Sequence, residues 1–407
     1  MDMSFADNTS GVDRYIRMLI KGLETYPDID IFRINLLYDD SLLLHRKIRR
    51  DSHTEVTIPI PRNYEPIISD KYRLAQYNEQ VFRIIAPLFN DKGRNIVHIH
   101  TLNLIDLAMY IKERTACKIV THLHCIPWKD LYNANRIKFN ELYSLQAVRK
   151  NLRDQKFKYL TNNSELQAYR DADSIICVTR CAVDFLSDTM DIIPNKITVI
   201  PNGADDLCGG ARRDYSKSAE TIRLLYVGIL SDSKGLGFIL DAVRKAQTRG
   251  CKVSLAVAGK VSAEQAAAIK ENNRDIEIDI LGRLSLEALT ECYKSCDAGI
   301  IASLQEQCSY VAIEMAMFGI PIITTAVDGL DEMFTDGEDA LKVGVRFSKA
   351  RSLTVDTDLM ADKIISLARD SMLRERLGRN ARHTYEERFS LHRMAERTVE
   401  VYNQISK

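Results

Sequence analysis

Two carboxylates, Glu306 and Glu314, stand with seven residues between them in SLQEQCSYVAIEMAMFGIPIITT, residues 303–325, and no other charged residue occurs in that stretch. A buried helix has little use for charge, and a surface helix carries more of it. Ser309 is a good N-cap, predicting a helix from Tyr310 to about Phe318, which Gly319 and Pro321 then stop. Glu306 then lies in the preceding loop, and Glu314 about one turn into the helix. Backbone donors near Tyr310–Ala312 lie between them, and such a helix start attracts phosphate. A carboxylate on each side of a phosphate site suits a ligand with hydroxyls at both ends. A nucleotide sugar fits: ribose at one end, a sugar ring at the other, diphosphate in the middle. The plainer reading makes Glu314 a dipole-favoured first-turn glutamate and Glu306 a solvated loop residue.

Other residues add to the phosphate chemistry. After the apolar run ending at Gly228 come Ile229 to Ser233, then Lys234 and Gly235, then a helical pattern. A strand, a glycine turn, a lysine and a helix start together can neutralise phosphate charge. Near the beginning, Asn8–Arg14 reads as a turn entering a helix, and Gly11 would let backbone approach a ligand closely. His98/His100 and His122/His124 form two H-x-H pairs. Residues two apart on a strand share a face, so the pairs could chelate zinc; the alternative is that they pack without metal. Residues 136–158 carry seven basic and two acidic residues interleaved with Leu142, Tyr143, Leu145, Val148 and Leu152. That pattern is a solvated helix with one face on its domain, or a helix resting on an anionic membrane surface. His45–Arg50 is a smaller basic cluster, read as a loop.

The elements that must position these residues are short apolar runs alternating with helical patterns. Strands are predicted at Ile29–Leu37, Val56–Ile60, Asn95–His100, Lys118–Leu123, Ser174–Val178 and Lys196–Ile200. A second series covers Ile222–Gly228, Lys252–Ala258, Ile276–Leu281, Ala298–Ala302, Pro321–Thr325 and Ala340–Val343. Val12, Tyr15, Ile16, Leu19, Ile20 and Leu23 fall on one helical face. Strands alternating with helices imply an α/β chain with mostly parallel sheets, whose ligands bind beyond the carboxyl ends of the strands. The organisation expected is a Rossmann-like domain over 1–201, a linker over 202–220, a second Rossmann-like domain over 221–388, and a C-terminal helix over 389–407 that packs back on the first. Met1–Phe5 is a short apolar stub where a full strand is usual: either the first strand is short, or the sequence begins inside it.

The 407 residues exceed what one core usually holds, and 45% hydrophobic with 28% charged residues is ordinary for a globular protein. A formal net charge of zero argues against nucleic acid as the main partner. Nine scattered cysteines form no disulfide framework and point to reduced thiols in the cytoplasm. No signal-peptide pattern opens the sequence, and no apolar run approaches membrane-spanning length. A dinucleotide-binding G-x-G-x-x-G at a strand-to-helix turn is missing, which disfavours a dehydrogenase.

Several pieces in order resemble one family. They are G-V-x-R at 11–14, IVHIHT at 96–101, VTHLHCIPW at 120–128, VIPNG at 199–203, LYVG with a following KG at 225–235, and E-x7-E at 306–314. The set is similar to glycosyltransferase family 4 of the GT-B fold, over nearly the whole chain. The resemblance implies two Rossmann-like domains facing across a cleft, with C-terminal helices crossing between them. It implies transfer of a sugar from a nucleoside diphosphate, uridine or guanosine, to an acceptor hydroxyl with retention at the anomeric carbon. No tightly bound cofactor and no required metal are implied.

Residue by residue, the resemblance places Glu306 on donor-sugar hydroxyls and Glu314 on ribose hydroxyls. Ser309 and Tyr310 meet the diphosphate, with Lys234 beside the glycine turn at Gly228. His124 faces the donor sugar, Gly11 with Arg14 belongs to the loop on the phosphate and acceptor side, and Arg283 neighbours the base. The sequence departs from the family pattern at Ile229, where Arg is common. It also departs at Cys308 and Ser309, which replace a glycine-rich run, and at Ser10, where a second glycine is common. The acceptor expected is a saccharide or a lipid-linked sugar in polysaccharide or glycoconjugate synthesis, at a cytoplasmic site that could lie at the inner face of the membrane. The rival readings are a sugar-nucleotide epimerase on the same fold and a catalytically silent nucleotide-binding subunit.

Overall fold

The structure is a computed structural model and describes residues 1–5, 11–39, 41–60, 70–90, 93–126, 163–184, 186–187, 192–209, 215, 220–347 and 353–407. The basic segment 136–158, Ser10 and Trp128 lie outside them, as do 210–214 and 216–219 of the expected linker. The described residues form two compact units, one made of 1–126, 163–201 and the C-terminal Leu391–Lys407, the other of Asn202–Ser390.

The first unit holds two four-stranded sheets. The first has the order β1 (Asp2–Phe5), β2 (Phe32–Tyr38), β4 (Thr54–Pro59), β3 (Arg46–Arg49). The second runs β5 (Ile96–Ile99), β6 (Lys118–Leu123), β7 (Ser174–Cys177), β8 (Ile197–Val199), all parallel. The apolar stub at the start is a four-residue strand parallel to β2, with Asp2 opposite Asn35. The His45–Arg50 cluster is mostly not a loop. Four of its residues form β3, an edge strand antiparallel to β4. Charge along an exposed edge guards it against pairing with other chains, and the same charge hides the strand from a hydrophobic pattern.

Helix α1 (Gly11–Leu23) buries Tyr15, Ile16, Leu19, Ile20 and Leu23, the stripe its spacing predicts. Asp70 caps α2 (Lys71–Ile85) by accepting from the Tyr72 and Arg73 amides. Helices α3 (Ile105–Thr115), α4 (Asn163–Asp171) and α5 (Arg180–Asp184) complete this part.

The second unit is built on one seven-stranded sheet. Its order is β11 (Glu277–Gly282), β10 (Lys252–Ala258), β9 (Thr221–Val227), β12 (Ala298–Ile301), β13 (Ile322–Ala326), β14 (Leu341–Phe347), β15 (Leu353–Val355). All pairings are parallel except β15 on β14. Strand β14 runs past the predicted Val343 because its far end pairs with β15, a short strand with no pattern of its own in the sequence. The crossover helices are α6 (Leu236–Thr248), α7 (Ala263–Asn272), α8 (Leu286–Ser295), α9 (Tyr310–Met317) and α10 (Asp328–Met333), followed by α11 (Thr357–Arg369) and α12 (Ser371–Thr384).

Residues of β12 and most of β13 are buried, as a central parallel strand covered by helices on both faces requires. Each fully buried Ile or Leu of this core, Ile300 and Ile323 among them, contributes about 1.5–3 kcal/mol. The chain steps outward from β9 to β10 to β11, then returns to lay β12 on the other side of β9. That reversal is a topological switch point, and the loops leaving β9 and β12 diverge from it.

The last helix, α13 (Leu391–Ile405), belongs to the first unit. It lies so close to α1 that a Cβ on Gly22 would sit 2.8 Å from the Ala395 Cβ.

Candidate functional site

The switch point of the second unit gathers most of the residues singled out above. The loop after β9 holds Gly228, Ile229, Lys234 and Gly235, and the loop after β12 holds Glu306 and Ser309. The two loops are tied together by backbone. Leu304 N–H donates to Ser233 O at 2.8 Å. Gly235 has φ +73°, and a Cβ there would lie 2.0 Å from the Ala302 carbonyl oxygen, so only glycine lets this turn rest on the end of β12. The result is an ion pair between loops far apart in sequence: Lys234 Nζ donates to Glu306 Oε2 at 2.5 Å. Both side chains remain partly open to solvent, 33% for Lys234 and 17% for Glu306. Tyr226, near Glu306, is held protonated, its phenol pushed upward first by burial and then by that carboxylate.

Helix α9 starts where the sequence predicts. Ser309 Oγ accepts from the Ala312 amide at 3.4 Å, and the helical ladder opens with Ile313 N–H to Ser309 O at 3.0 Å. Ser309 is buried and Tyr310 half-buried. Glu314 is 2% exposed, and Tyr293 Oη on α8 donates to its Oε2 at 2.6 Å.

Cys308 is buried, its thiol pushed up to about 12 by that burial, and its Sγ accepts from the Asn202 amide at 3.3 Å. Asn202 Nδ2 also donates to Cys308 O at 2.8 Å, so the VIPNG turn and this loop fix one another. The bulk that replaces glycine at Cys308 is therefore spent inside the unit. Ile229 stands 67% exposed where the resembling family often carries Arg, and Tyr226 Oη donates to its carbonyl at 2.9 Å. Arg283 is exposed on the loop after β11.

In the first unit, Gly11 opens α1, and a Cβ there would meet open space, so packing within the chain does not demand glycine. Arg14 is half-buried one turn on. His124 follows β6 directly, and its Nε2 lies 3.2 Å from His100 Nδ1 at the end of β5. The four histidines form one stack. His122 and His124 are 4.0 Å apart at 16° between planes, and His98 and His100 are 4.3 Å apart at 34°. His98 Nδ1 is 2.8 Å from Tyr402 Oη, and its Nε2 is 3.3 Å from His122 Nδ1. Tyr15 packs against His100, His122 and His124.

Burial drives the pKa of His98, His100 and His122 well below the ordinary histidine value and lowers His124 to about 3, so the stack is neutral. Nitrogens of His98, His100 and His122 lie within 4.8 Å of one another, the described residues that could hold a metal ion.

The sequence reading missed Tyr293 and Tyr402, and it gave Tyr15 and Tyr226 no role beyond a helical face and a strand. Tyr293, Tyr226 and Tyr15 are buried and Tyr402 is half-buried, all at helix or strand positions that look apolar. The available signal is that a buried Tyr hydroxyl needs a partner; which partner it finds is a matter of tertiary structure.

Residues 9–206 match the model of Glycosyltransferase Family 4, and residues 211–384 match that of glycosyl transferases group 1. The chain belongs to glycosyltransferase family 4. The chain is 26% identical over 250 residues to an uncharacterised glycosyltransferase of Methanocaldococcus jannaschii, covering 61% of the chain and 62% of the relative. It is 26% identical over 237 residues to a glycogen synthase of Mycobacterium tuberculosis, covering 57% of the chain and 54% of the relative. The chain thus spans 62% and 54% of the length of these two relatives.

Its fold is that of the GT-B glycosyltransferases. Sucrose-phosphate synthase from Thermosynechococcus elongatus superposes with a TM-score of 0.71 at 16% identity, over 100% of this chain and 99% of that one. Anabaena HepE, solved in complex with UDP-glucose, gives 0.66 at 16% identity, over 99% and 100%.

Proposed function

We propose that this family 4 glycosyltransferase takes a nucleoside-diphosphate sugar as donor and passes the sugar to an acceptor hydroxyl with retention of anomeric configuration. The observation that carries this reading is the Lys234–Glu306 pair at the switch point, beside the capped start of α9. A cation, a carboxylate and a helix start meet there, which is a poor arrangement for a core and a good one for a pyrophosphate with a sugar attached.

In this reading the arriving diphosphate draws Lys234 Nζ away from Glu306 and also receives the first amides of α9. Glu306, released from the ion pair, accepts hydrogen bonds from hydroxyls of the donor sugar. Glu314 accepts the ribose hydroxyls. Arg283 neighbours the base, and Gly228 lets backbone approach the phosphates. As the bond from the anomeric carbon to the diphosphate oxygen breaks, negative charge grows on the leaving nucleotide, and Lys234 stabilises it. The acceptor oxygen bonds to the anomeric carbon on the same face, and its proton passes to the departing phosphate. No separate general base is needed. Ile229 supplies no cation, so either Lys234 carries the phosphate charge alone or a cation from another loop substitutes.

His124, from the first unit, offers a neutral imidazole to the donor sugar, while Gly11 and Arg14 serve the phosphate and acceptor side. The donor to try first is a UDP-sugar, since HepE was solved with UDP-glucose; a GDP-sugar is the alternative. The acceptor is a saccharide or lipid-linked sugar in polysaccharide or glycoconjugate synthesis. Among the described residues no helix is long and apolar enough to cross a membrane, and residues 136–158 are the part proposed to rest on an anionic surface.

The test is to incubate the protein with UDP- and GDP-sugars and an acceptor panel, following nucleotide release and the product's anomeric configuration by NMR. Transfer with the donor's configuration is the expected result. Inverted product overturns the retaining mechanism, and a free epimerised sugar without transfer favours the epimerase reading.

A further inference from the structure

Tyr293 lies near the end of α8 and is 2% exposed, as deeply buried as Glu314. Its phenol reaches across to another helix and donates to Glu314 Oε2 at 2.6 Å. Its ring stacks on Phe318, with centroids 5.3 Å apart and 19° between planes. Glu314 and Phe318 are four residues apart along α9 and its C-cap, so they share one face of that helix. One side chain of α8 therefore grips α9 at two successive turns. Helix α8 itself begins directly after the loop that carries Arg283, capped by Ser285.

A glutamate has three side-chain torsions, and a carboxylate that must meet two vicinal hydroxyls has to be held in one plane. A short hydrogen bond to one of its oxygens fixes the direction in which the other points.

We propose that Tyr293 is a positioning residue for ribose recognition, its phenol holding the Glu314 carboxylate in the orientation that accepts the ribose hydroxyls. This rests on the reading of Glu314 as the ribose-binding carboxylate. The donor site then owes part of its preference for ribonucleotides to a side chain that acts through Glu314. The same helix joins the base-side loop to the ribose carboxylate, so α8 serves two parts of one nucleoside.

The experiment titrates UDP and its 2′,3′-dideoxy analogue, or the GDP pair if GDP binds better, into the full chain and its Tyr293→Phe and Glu314→Gln variants. Wild type prefers the ribonucleotide by about tenfold, a charge-assisted hydrogen bond's worth. Glu314→Gln abolishes that preference. Tyr293→Phe keeps the ring on Phe318, loses most of the preference, and binds the dideoxy analogue as wild type does. If wild type shows no preference, the ribose reading of Glu314 falls and this inference with it. If Glu314→Gln loses the preference but Tyr293→Phe keeps it, only the inference about Tyr293 is overturned. Equal weakening of both ligands by Tyr293→Phe overturns it too, since that marks general support of the fold. Should Tyr293→Phe not fold, Phe318→Leu tests the claim from the other side. It loosens the ring but leaves the phenol bond, so the preference stays within about twofold of wild type; its loss shows that packing, not the hydrogen bond, orients Glu314.

Discussion

Two clusters of polar side chains, one in each unit, are handled in opposite ways. At the ends of β5 and β6, imidazoles lean on imidazoles, and burial keeps them neutral. At the ends of β9 and β12, each carboxylate has a dedicated donor of another kind, Lys234 for Glu306 and Tyr293 for Glu314. A neutral imidazole offers a hydrogen bond without a field, which suits an uncharged sugar. A cation beside a helix start offers a field, which suits a diphosphate. Polar groups are thus tuned in two ways, by desolvation in the histidine stack and by pairing at the carboxylates.

The contrast is broken most sharply by exchanging the roles of single residues. Glu306→Gln removes the negative charge proposed to face the donor sugar, and turnover is expected to fall by roughly a hundredfold, as for other single electrostatic contacts made at the transition state. His124→Gln keeps a neutral hydrogen-bonding group and costs only about tenfold. Steady-state kinetics with whichever UDP- or GDP-sugar proves to be the donor measure both. Equal losses, or the larger loss at His124, would place the chemistry in the first unit.

A smaller effect sharpens the comparison through stability. Unfolded histidines bind protons near pH 6.5, whereas the stacked ones do not until far lower pH. The unfolded chain therefore binds more protons below pH 6.5, and native stability falls as the pH drops through that value. The slope is up to ~1.4 kcal/mol per pH unit for each histidine, and stability is restored above about pH 7. Hydrogen exchange from pH 7.5 to 5 checks this strand by strand. Protection in β5 and β6 decreases before that in β12 and β13, and simultaneous loss would show that the histidine stack is not the acid-labile element.

Much of this was legible in the residues. The start of α9 was readable because Ser309, Gly319 and Pro321 are local signals, and each acts on its own few backbone groups. The alternation of strands and helices was readable because burial imposes periodicity. Strand β3 was not, because its charges serve the edge and erase the apolar pattern. Strand β15 was not, because three residues carry too little pattern.

At the site, the residue types were readable and the pairings were not. Lys234 and Glu306 are brought together by a crossover and a glycine turn 72 residues apart, and nothing in either local sequence encodes the other. Glu314 could be read as a dipole-favoured first-turn acid because its partner lies on a different helix. Cys308 looked like bulk in a sugar pocket and proved to be a buried acceptor. Ile229 remains what the sequence says, an exposed apolar residue at the end of β9.

The central claim is that a diphosphate settles between Lys234 and the start of α9, and the most direct measurement is a crystal structure with a nucleoside diphosphate bound. The account predicts phosphate density against the Ser309–Tyr310 backbone, with Lys234 Nζ moved from Glu306 onto a phosphate oxygen and Glu314 on the ribose. A nucleotide bound elsewhere, or bound here with the Lys234–Glu306 pair intact, would contradict it.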